Sequence, residues 1–417
     1  MRFLSVFSIL PLLLMLLFSG CSGRKDTTEN THNDPVNAVE DAAAAAEEEE
    51  YAMRHAASRI AAALNDRQLA AQVIISGIDG KGHLPEYMRL ILEECPAGGI
   101  MLFRYNLDSD NDAIQALIAE TAALITAENT VENTSAAIPP FVTVDHEGGA
   151  VNRFRRGVAD MPPAASYQEM AQDGGRDGVI AQINADSFYA GMAINTLGVN
   201  LNLAPVAEYL HAENRDFLED RSYGPDPAFA AEAAAAFIAG MGQAGVLCVV
   251  KHFPGSAGAD PHRFPSVLKG GRDALAELIA PIAALISGGH ARAVMVSHSA
   301  VPAWDSENIA SLSPAVMGGW LRQELGFEGI IVCDDFSMAA ASNPAAAGQN
   351  SLKPEIAAVL SLAAGADMVL VWPPDIRRTH RAILAALDDG RLSRERLREA
   401  AGRIIFEKIR IGLLHDE

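Results

Sequence analysis

Short apolar runs recur along the chain between residues 72 and 372, and longer stretches with helix signals separate them. The runs do not alternate apolar with polar residues, so both faces of each predicted strand should be buried, as in a parallel sheet. We assign eight such runs: 72–76, 99–103, 141–145, 200–205, 247–252, 293–298, 329–334 and 368–372. The pattern therefore predicts eight parallel strands.

The stretches between the runs are predicted helices, and several begin at Asp or Ser, which cap helix N-termini. The clearest are 110–127, 226–243, 273–287, 314–325, 377–388 and 393–409. Eight consecutive strand–helix units predict an α/β fold, a single (β/α)₈ TIM barrel, rather than an open doubly wound sheet. The glycine-rich turn at 77–82 is not followed directly by a convincing helix start, which argues against a dinucleotide-binding fold.

The N-terminus departs from this pattern. Arg2, the apolar run at 10–18 and the small-small-Cys exit that ends at Cys21 are typical of a secretory signal with a lipidation cysteine. The run is shorter than the about 20 residues of a transmembrane helix. An ordinary signal peptide and a short anchor remain as alternatives. We expect export and a lipid anchor at Cys21 that holds the protein to the membrane or envelope.

The sequence divides into three predicted segments. Residues 1–21 form the lipoprotein signal, and residues 22–50 form an acidic, low-complexity tether whose residues should be solvated and mobile. Residues 51–417 form the barrel domain.

Composition restricts the partners. The net charge of −21 has the wrong sign for a protein that binds phosphate backbones, so we expect no nucleic-acid partner. Hydrophobic residues make up 49% of the chain, which is enough for a large core. Beyond Cys21, three cysteines remain, at 95, 248 and 333, and two of them lie in apolar runs. We expect no structural disulfide.

Ionisable residues follow most of the predicted strands. In TIM barrels the active site forms at the carboxyl ends of the strands. These ends carry Arg104, Asp145-His146-Glu147, Lys251-His252, His298 and Asp334-Asp335. So many buried charges are costly unless they are paired, and stability alone does not explain them. For His146 and Asp335 in particular, capping of the next loop is an equally good explanation.

A metal centre is the first alternative for such a rim. Asp260 and His262 could act as ligands, but strand one ends at Ser76 and strand eight at Trp372, with no ligand at either position. No compact cluster with metal-ligand spacing occurs elsewhere in the sequence. We therefore expect no metal.

Ordered motifs give the sequence a resemblance to glycoside hydrolase family 3, in its single-barrel β-N-acetylglucosaminidase branch. The matching segments are VDHEGG at 144–149, LNLAPV at 201–206, DRSYG at 220–224, KHFPG at 251–255, DPH at 260–262 and CDDFSM at 333–338. The resemblance runs from about Leu64 to the end of strand eight and covers nearly the whole predicted barrel.

The resemblance implies roles for individual residues. Asp334 matches the nucleophile, and since adjacent strand residues point to opposite faces, we expect Asp335 to point away from the sugar. His262, paired with Asp260, matches the general acid/base. The positions that hold sugar hydroxyls are matched by Asp145, Arg153, Arg221, Lys251 and His252. No metal or organic cofactor is implied.

The chemistry agrees with those roles. A retaining glycosidase needs a nucleophile and a second group that first donates and then removes a proton. Histidine has an unperturbed pKa near 6.5, which suits both steps, and a neighbouring Asp can fix its tautomer. Gly255 and Gly258 flank a loop that could close over the substrate. If His262 is not the acid, Glu147 is the nearest alternative.

Some positions depart from the family pattern. Ser256-Ala257 stands where His-Gly is usual, the loop before Asp260 is about two residues short, and Glu208 replaces an Asp. These changes put the reach of the acid/base loop in question. We expect an exo-β-N-acetylglucosaminidase that acts on peptidoglycan fragments or chitin-type oligosaccharides. A β-glucosidase, a glycosyl phosphorylase and a non-catalytic carbohydrate-binding lipoprotein are the alternatives.

Overall fold

Eight parallel strands close into a barrel in the computed structural model, which describes residues 35–132, 136–155, 157–258, 260–338, 341 and 352–415. The barrel strands are β1 (Ile74–Gly77), β2 (Gly99–Met101), β3 (Phe141–Val144), β4 (Leu201–Asn202), β5 (Leu247–Phe253), β6 (Ala293–Val296), β7 (Ile330–Cys333) and β8 (Met368–Val371). Each lies within or across one of the eight predicted runs, so the predicted (β/α)₈ barrel is confirmed.

The strands follow one another around the barrel in chain order, and β1 pairs in parallel with both β2 and β8. Ile75 lies opposite Gly99 on one side and Leu370 on the other, which closes the sheet. All the barrel-strand residues are buried. This burial on both faces explains why the runs show no alternation of apolar and polar residues.

Helices precede and separate the strands along the chain, and short 3₁₀ turns at Glu219–Arg221, Ala310–Leu312 and Pro373–Asp375 lie in the loops. The helices are Pro35–Ala63, Asp66–Gln72, Glu86–Glu94, Arg104–Leu107, Asn111–Glu128, Ala164–Gly174, Arg176–Thr196, Arg215–Leu218, Pro227–Gln243, Arg272–Leu278, Ala280–Ser287, the π-type helix Ala315–Glu324, Pro354–Ala364, Ile376–Asp388 and Arg394–Arg410.

The capping residues act as predicted, with one correction. The side chains of Asp110, Asp226 and Ser393 accept hydrogen bonds from backbone N–H groups of the first helical turn. The predicted helix 273–287 is instead two helices that meet at Ile279. Pro281 lies in the first turn of the second helix, where its missing N–H costs no helical hydrogen bond, whereas inside one long helix it would.

The predicted tether contains a helix. The helix Pro35–Ala63 includes the second half of the segment that the sequence assigned to a mobile tether. Ala42–Ala46 and Glu47–Glu50 are strong helix formers, and Arg54 binds Glu50 one turn earlier at 2.8 Å. The run of alanine and glutamate is therefore helical rather than extended, although most of its described side chains from residue 41 to residue 49 are exposed.

The chain divides into two compact units after Ala56, and the unit that contains the barrel begins at Ala57. The predicted signal, Cys21 and the first part of the predicted tether lie outside the described residues. No helix in the described part of the chain is long and apolar enough to cross a membrane. Cys95, Cys248 and Cys333 are buried free thiols.

Two small antiparallel hairpins extend from the barrel strands and are absent from the sequence prediction. The first follows β3 and pairs His146–Gly148 with Val151–Asn152. The second follows β6 and pairs Ala300–Val301 with Asp305–Ile309. Their strands have only two to five residues, which is too short for a recognisable alternation.

Candidate active site

A cleft with a volume of about 1130 Å³ opens at the carboxyl ends of the barrel strands. It is where the fold class predicts an active site. Seven of the predicted site residues line it together: Asp145, Arg153, Arg221, Lys251, His252, His262 and Asp334. The eighth, Asp260, is hydrogen-bonded to His262.

A network of charges forms one side of the cleft. Lys251 Nζ donates to Asp145 Oδ1 at 3.0 Å and lies 2.6 Å from Glu147 Oε1. Arg153 binds the other oxygen of Asp145 at 3.3 Å. Asp145 follows β3 directly and Lys251 lies in β5, so the closed barrel brings together side chains that are 106 residues apart. The network offers both donors and acceptors to the hydroxyl groups of a ligand.

Glu147 is the most constrained carboxylate in this network. Arg221 binds it through two hydrogen bonds, from Nε at 2.7 Å and from Nη2 at 2.9 Å. Burial alone would raise the pKa of Glu147, but Lys251 and Arg221 together hold that pKa far below its ordinary value. Glu147 is thus ionised near neutral pH, which makes it a poor alternative to His262 as proton donor.

Replacing Glu147 tests how much the network contributes to the free energy of unfolding. Glu147→Gln should lower the free energy of unfolding by about 3 kcal/mol, because Lys251 and Arg221 lose a buried counter-charge. Lys251 keeps Asp145, so the cost should lie at the low end of the range for broken buried pairs. Urea unfolding of the variant beside the parent measures it, with the exposed carboxylate of Glu169 changed to Gln as the matched control.

The pH dependence of that difference has a defined sign. The pKa of Glu147 is lower in the folded than in the unfolded protein, so its contribution is complete above the unfolded pKa of about 4.3 and is lost on acidification. The parent and the variant should therefore differ at pH 7 and converge as the pH falls. Equal urea-unfolding midpoints for the parent and Glu147→Gln at pH 7 would contradict the stabilising role of the network.

His252 is held from the neighbouring loop by Glu208. The His252 Nδ1 and the Glu208 Oε1 atoms lie 2.7 Å apart, and Glu208 also accepts hydrogen bonds from the backbone N–H and the hydroxyl of Ser256. Glu208 and Ser256, both departures from the family pattern, thus bind each other. This arrangement fixes the ring at the cleft wall, with Phe217 at 6.1 Å on the same side.

The predicted Asp–His pair is present on the loop after β5. His262 Nδ1 lies 2.7 Å from Asp260 Oδ1, and that oxygen also accepts the backbone N–H of His262. Burial would raise the pKa of Asp260, but these hydrogen bonds lower it below its ordinary value. An ionised carboxylate can only accept, so Nδ1 carries the proton and Nε2 is left for the cleft. The His262 side chain is 66% exposed.

Asp334 and Asp335 both line the cleft, which corrects the expectation that Asp335 points away. The strand β7 ends at Cys333, so the alternation of strand side chains does not apply to them. Asp335 donates its backbone N–H to Asp334 Oδ1 at 2.8 Å. Its own carboxylate accepts hydrogen bonds from Ser337 and from the indole N–H of Trp372. Asp335 thus helps to fix the position of the Asp334 carboxylate.

His146 and His298, which the sequence also counts among the strand-end residues, are buried and are not part of the cleft wall. Burial lowers the pKa of His146 to about 4. His298 binds Ser311 through Nδ1 and the Asp335 carbonyl through Nε2, and burial lowers its pKa despite the nearby Asp334. Both histidines are neutral structural groups near pH 7.

Aromatic residues of the cleft were missed by the sequence prediction. Phe103, Tyr105 and Trp372 all line it. Trp372 is no metal ligand, and the sequence prediction gave it no other role. Its position directly after β8, at the strand ends where the fold class places the active site, is the signal that could have marked it as a cleft residue. Among the described residues, no group of three or more His, Cys, Asp or Glu side chains is placed to hold a metal ion.

Comparison with known proteins agrees with the predicted family. The sequence pattern described as "Glycosyl hydrolase family 3 N terminal domain" matches residues 70–406. A β-hexosaminidase of Methylococcus capsulatus is 33% identical over 281 residues, which cover 66% of this chain and 75% of the relative. A β-hexosaminidase of Chromobacterium violaceum is 32% identical over 77% of this chain and 84% of its own length.

A similar solved structure is a glycoside hydrolase family 3 β-N-acetylglucosaminidase from Paenibacillus, with a TM-score of 0.74 and 29% identity. The match covers 84% of this chain and 63% of that longer chain. The family pattern spans most of the described barrel, and the curated relatives are matched over three quarters of their length or more. The chain therefore belongs to glycosyl hydrolase family 3, and it is a glycoside hydrolase.

Proposed function

We propose that the protein is a retaining exo-β-N-acetylhexosaminidase that removes terminal β-linked N-acetylglucosamine through a covalent intermediate on Asp334. The observation that carries the proposal is the shared cleft, in which Asp334 and His262 face the same charged network. The relatives named β-hexosaminidase support the class of activity. The mechanism and the assignment of the residues are our proposal.

In the first step, the Asp334 carboxylate attacks the anomeric carbon while the bond to the leaving-group oxygen breaks. The His262 ring enters this step as an imidazolium, protonated on both nitrogens; it gives the Nε2 proton to that oxygen, keeps the Nδ1 proton, and the leaving group departs as an alcohol. The ionised Asp260 carboxylate stabilises the His262 ring while it is protonated and holds Nδ1 in place.

In the second step, His262 acts as the base. It removes a proton from water as the water oxygen attacks the anomeric carbon, and the bond to Asp334 breaks. Two inversions at one carbon return the sugar with its original β configuration. Both steps are complete without a metal or an organic cofactor.

The charged network is proposed to hold the terminal sugar. Asp145, Arg153, Arg221, Lys251 and His252 present cations and carboxylate oxygens to the cleft, and sugar hydroxyls both donate and accept hydrogen bonds. Because the charges are fixed by each other, the pocket is organised before the substrate binds, which lowers the cost of orienting it. Terminal residues of peptidoglycan fragments or chitin-type oligosaccharides fit this description.

The activity is tested by comparing a chromogenic β-N-acetylglucosaminide with the matching β-glucoside, each with and without phosphate. We expect faster hydrolysis of the N-acetylglucosaminide and no sugar phosphate among the products. Preference for the β-glucoside would favour a glucosidase, and sugar 1-phosphate would identify a phosphorylase. Binding of the sugar with no turnover of either substrate would leave a carbohydrate-binding lipoprotein.

The location of the protein is a separate proposal, which rests on the sequence of the first 21 residues. We propose that Cys21 carries acyl chains and anchors the protein to the membrane or envelope outside the cytoplasm. Cys21→Ser should release the protein from the membrane fraction, while Cys95→Ser serves as the matched control. Mass spectrometry of the mature parent protein with no acyl group on Cys21 would identify a simple secreted protein instead.

A further inference from the structure

The cleft has an aromatic part beside its charged part. Phe103 and Tyr105 follow β2 and Trp372 follows β8, with only β1 between those two strands in the barrel. The charged network comes from β5 and from the segments that follow β3 and β4. Asp334, at the end of β7, lies next to the aromatic part in barrel order. The two parts of the cleft therefore offer different chemistry to two parts of one ligand.

The aromatic part is a parallel stack of rings. The Phe103 ring centroid lies 4.5 Å from that of Trp372 with an interplanar angle of 7°, and 5.8 Å from that of Tyr105 at 17°. Trp372 is 36% exposed and Tyr105 is 42% exposed. Exposed aromatic surface that lines a cleft beside charged groups is typical of a ligand site rather than of a core.

Neighbouring residues hold the rings of the stack in place. Gly77 ends β1 beneath it, and a Cβ there would lie 2.8 Å from Phe103 Cε2 and 3.1 Å from Pro373 Cδ. The glycine thus lets the phenyl ring and the chain after Trp372 approach the barrel closely. The indole N–H of Trp372 donates to the Asp335 carboxylate, which sets the rotation of the ring. Such pre-ordering reduces the entropy that binding would otherwise cost.

We propose that the aromatic stack binds the leaving group, and that this group is a pyranose ring with an apolar C–H face. The proposal rests on the proposed function. A ring of β-gluco configuration presents axial C–H bonds on each face, and their partial positive charge is attracted to the negative face of an aromatic ring. The terminal sugar, whose hydroxyls need charged partners, occupies the other part, so the leaving group extends toward the exposed surfaces of Trp372 and Tyr105.

Trp372 is also connected to Asp334, the proposed nucleophile, through Asp335. Trp372 donates to Asp335, and the Asp335 backbone N–H donates to Asp334 Oδ1 at 2.8 Å. Trp372 can therefore affect turnover in two ways, by stacking on the leaving group and by positioning Asp335. The two effects are separable: Trp372→Phe retains a flat ring without the N–H donor, and Trp372→Ala removes both.

The test compares kcat/KM on two substrates whose alkoxide leaving groups both need protonation to depart. Di-N-acetylchitobiose loses a sugar ring, and methyl β-N-acetylglucosaminide loses methanol, which cannot stack. The parent should prefer chitobiose. Trp372→Ala should reduce that preference about tenfold, in line with the energy of an aromatic stack, and Trp372→Phe should retain most of it even if it slows both substrates. Urea unfolding confirms that each variant is folded.

Two results would overturn the proposal. An equal loss on both substrates in Trp372→Ala would mean that Trp372 only positions Asp335. A parent enzyme that hydrolyses both substrates equally well would reject the leaving-group site without any variant. These failures differ from failure of the proposed function, in which the parent would turn over neither N-acetylglucosaminide.

Discussion

Asp334→Asn should lower kcat by about 10⁴-fold or more on any glycoside substrate, because the amide cannot form the covalent intermediate. The fold should be retained, since Asp334 lies beyond the end of β7 and its recorded side-chain hydrogen bond is to the backbone of Asp335. Initial rates on a chromogenic β-N-acetylglucosaminide and urea unfolding measure the two quantities.

The matched control for Asp334→Asn is Asp173→Asn, on the exposed face of the helix Ala164–Gly174. It makes the same chemical change at an exposed residue that does not line the cleft, and it should retain parental activity. Activity of Asp334→Asn within tenfold of the control would contradict the assignment, and would direct attention to Asp335, which lines the same cleft.

His262→Ala should have an effect that depends on the leaving group. Loss of a general acid costs about 10²- to 10⁴-fold when the leaving group is poor, and far less when it departs without a proton. We therefore expect a large loss of kcat/KM on a natural disaccharide and a small one on an activated aryl glycoside. Since kcat/KM reports only the first chemical step, the second role of His262 as base does not obscure the comparison.

Asp260→Ala should follow the same trend more weakly, because the imidazole remains but loses the partner that holds Nδ1 at 2.7 Å. The measurement is kcat/KM on aryl glycosides of graded leaving-group pKa for the parent and both variants. A His262→Ala profile as flat as that of the parent would reject His262 as the acid. Glu147 would be a weak replacement, since its two cationic partners keep it ionised.

Most of the fold could be predicted because its signals are local. Runs of apolar residues mark the strands in the sequence, and Asp110, Asp226 and Ser393 mark helix starts. The eightfold repetition then limits the topology to a barrel. The helix at the alanine and glutamate run near residue 45 was not predicted, because the low complexity of the run drew attention to a tether and away from its high helix propensity.

The candidate site was predictable where a motif followed a strand. Asp145, Lys251 and Asp334 are such cases, and the closed barrel brings them to one cleft. Pairings across the barrel were not predictable. Nothing in the sequence links Glu208 to Ser256, or Phe103 to Trp372, because these contacts depend on which loops meet in space. The alternation rule failed at Asp335 because the strand stops two residues earlier.

The most direct test of the central claim is the identity of the residue that carries the glycosyl group. Incubation with a slow fluorinated N-acetylglucosaminyl substrate, followed by peptide mass spectrometry, locates the covalent adduct. We expect one sugar per protein molecule, attached to Asp334 and absent from Asp334→Asn. A label on Asp335 or on any other carboxylate would contradict it.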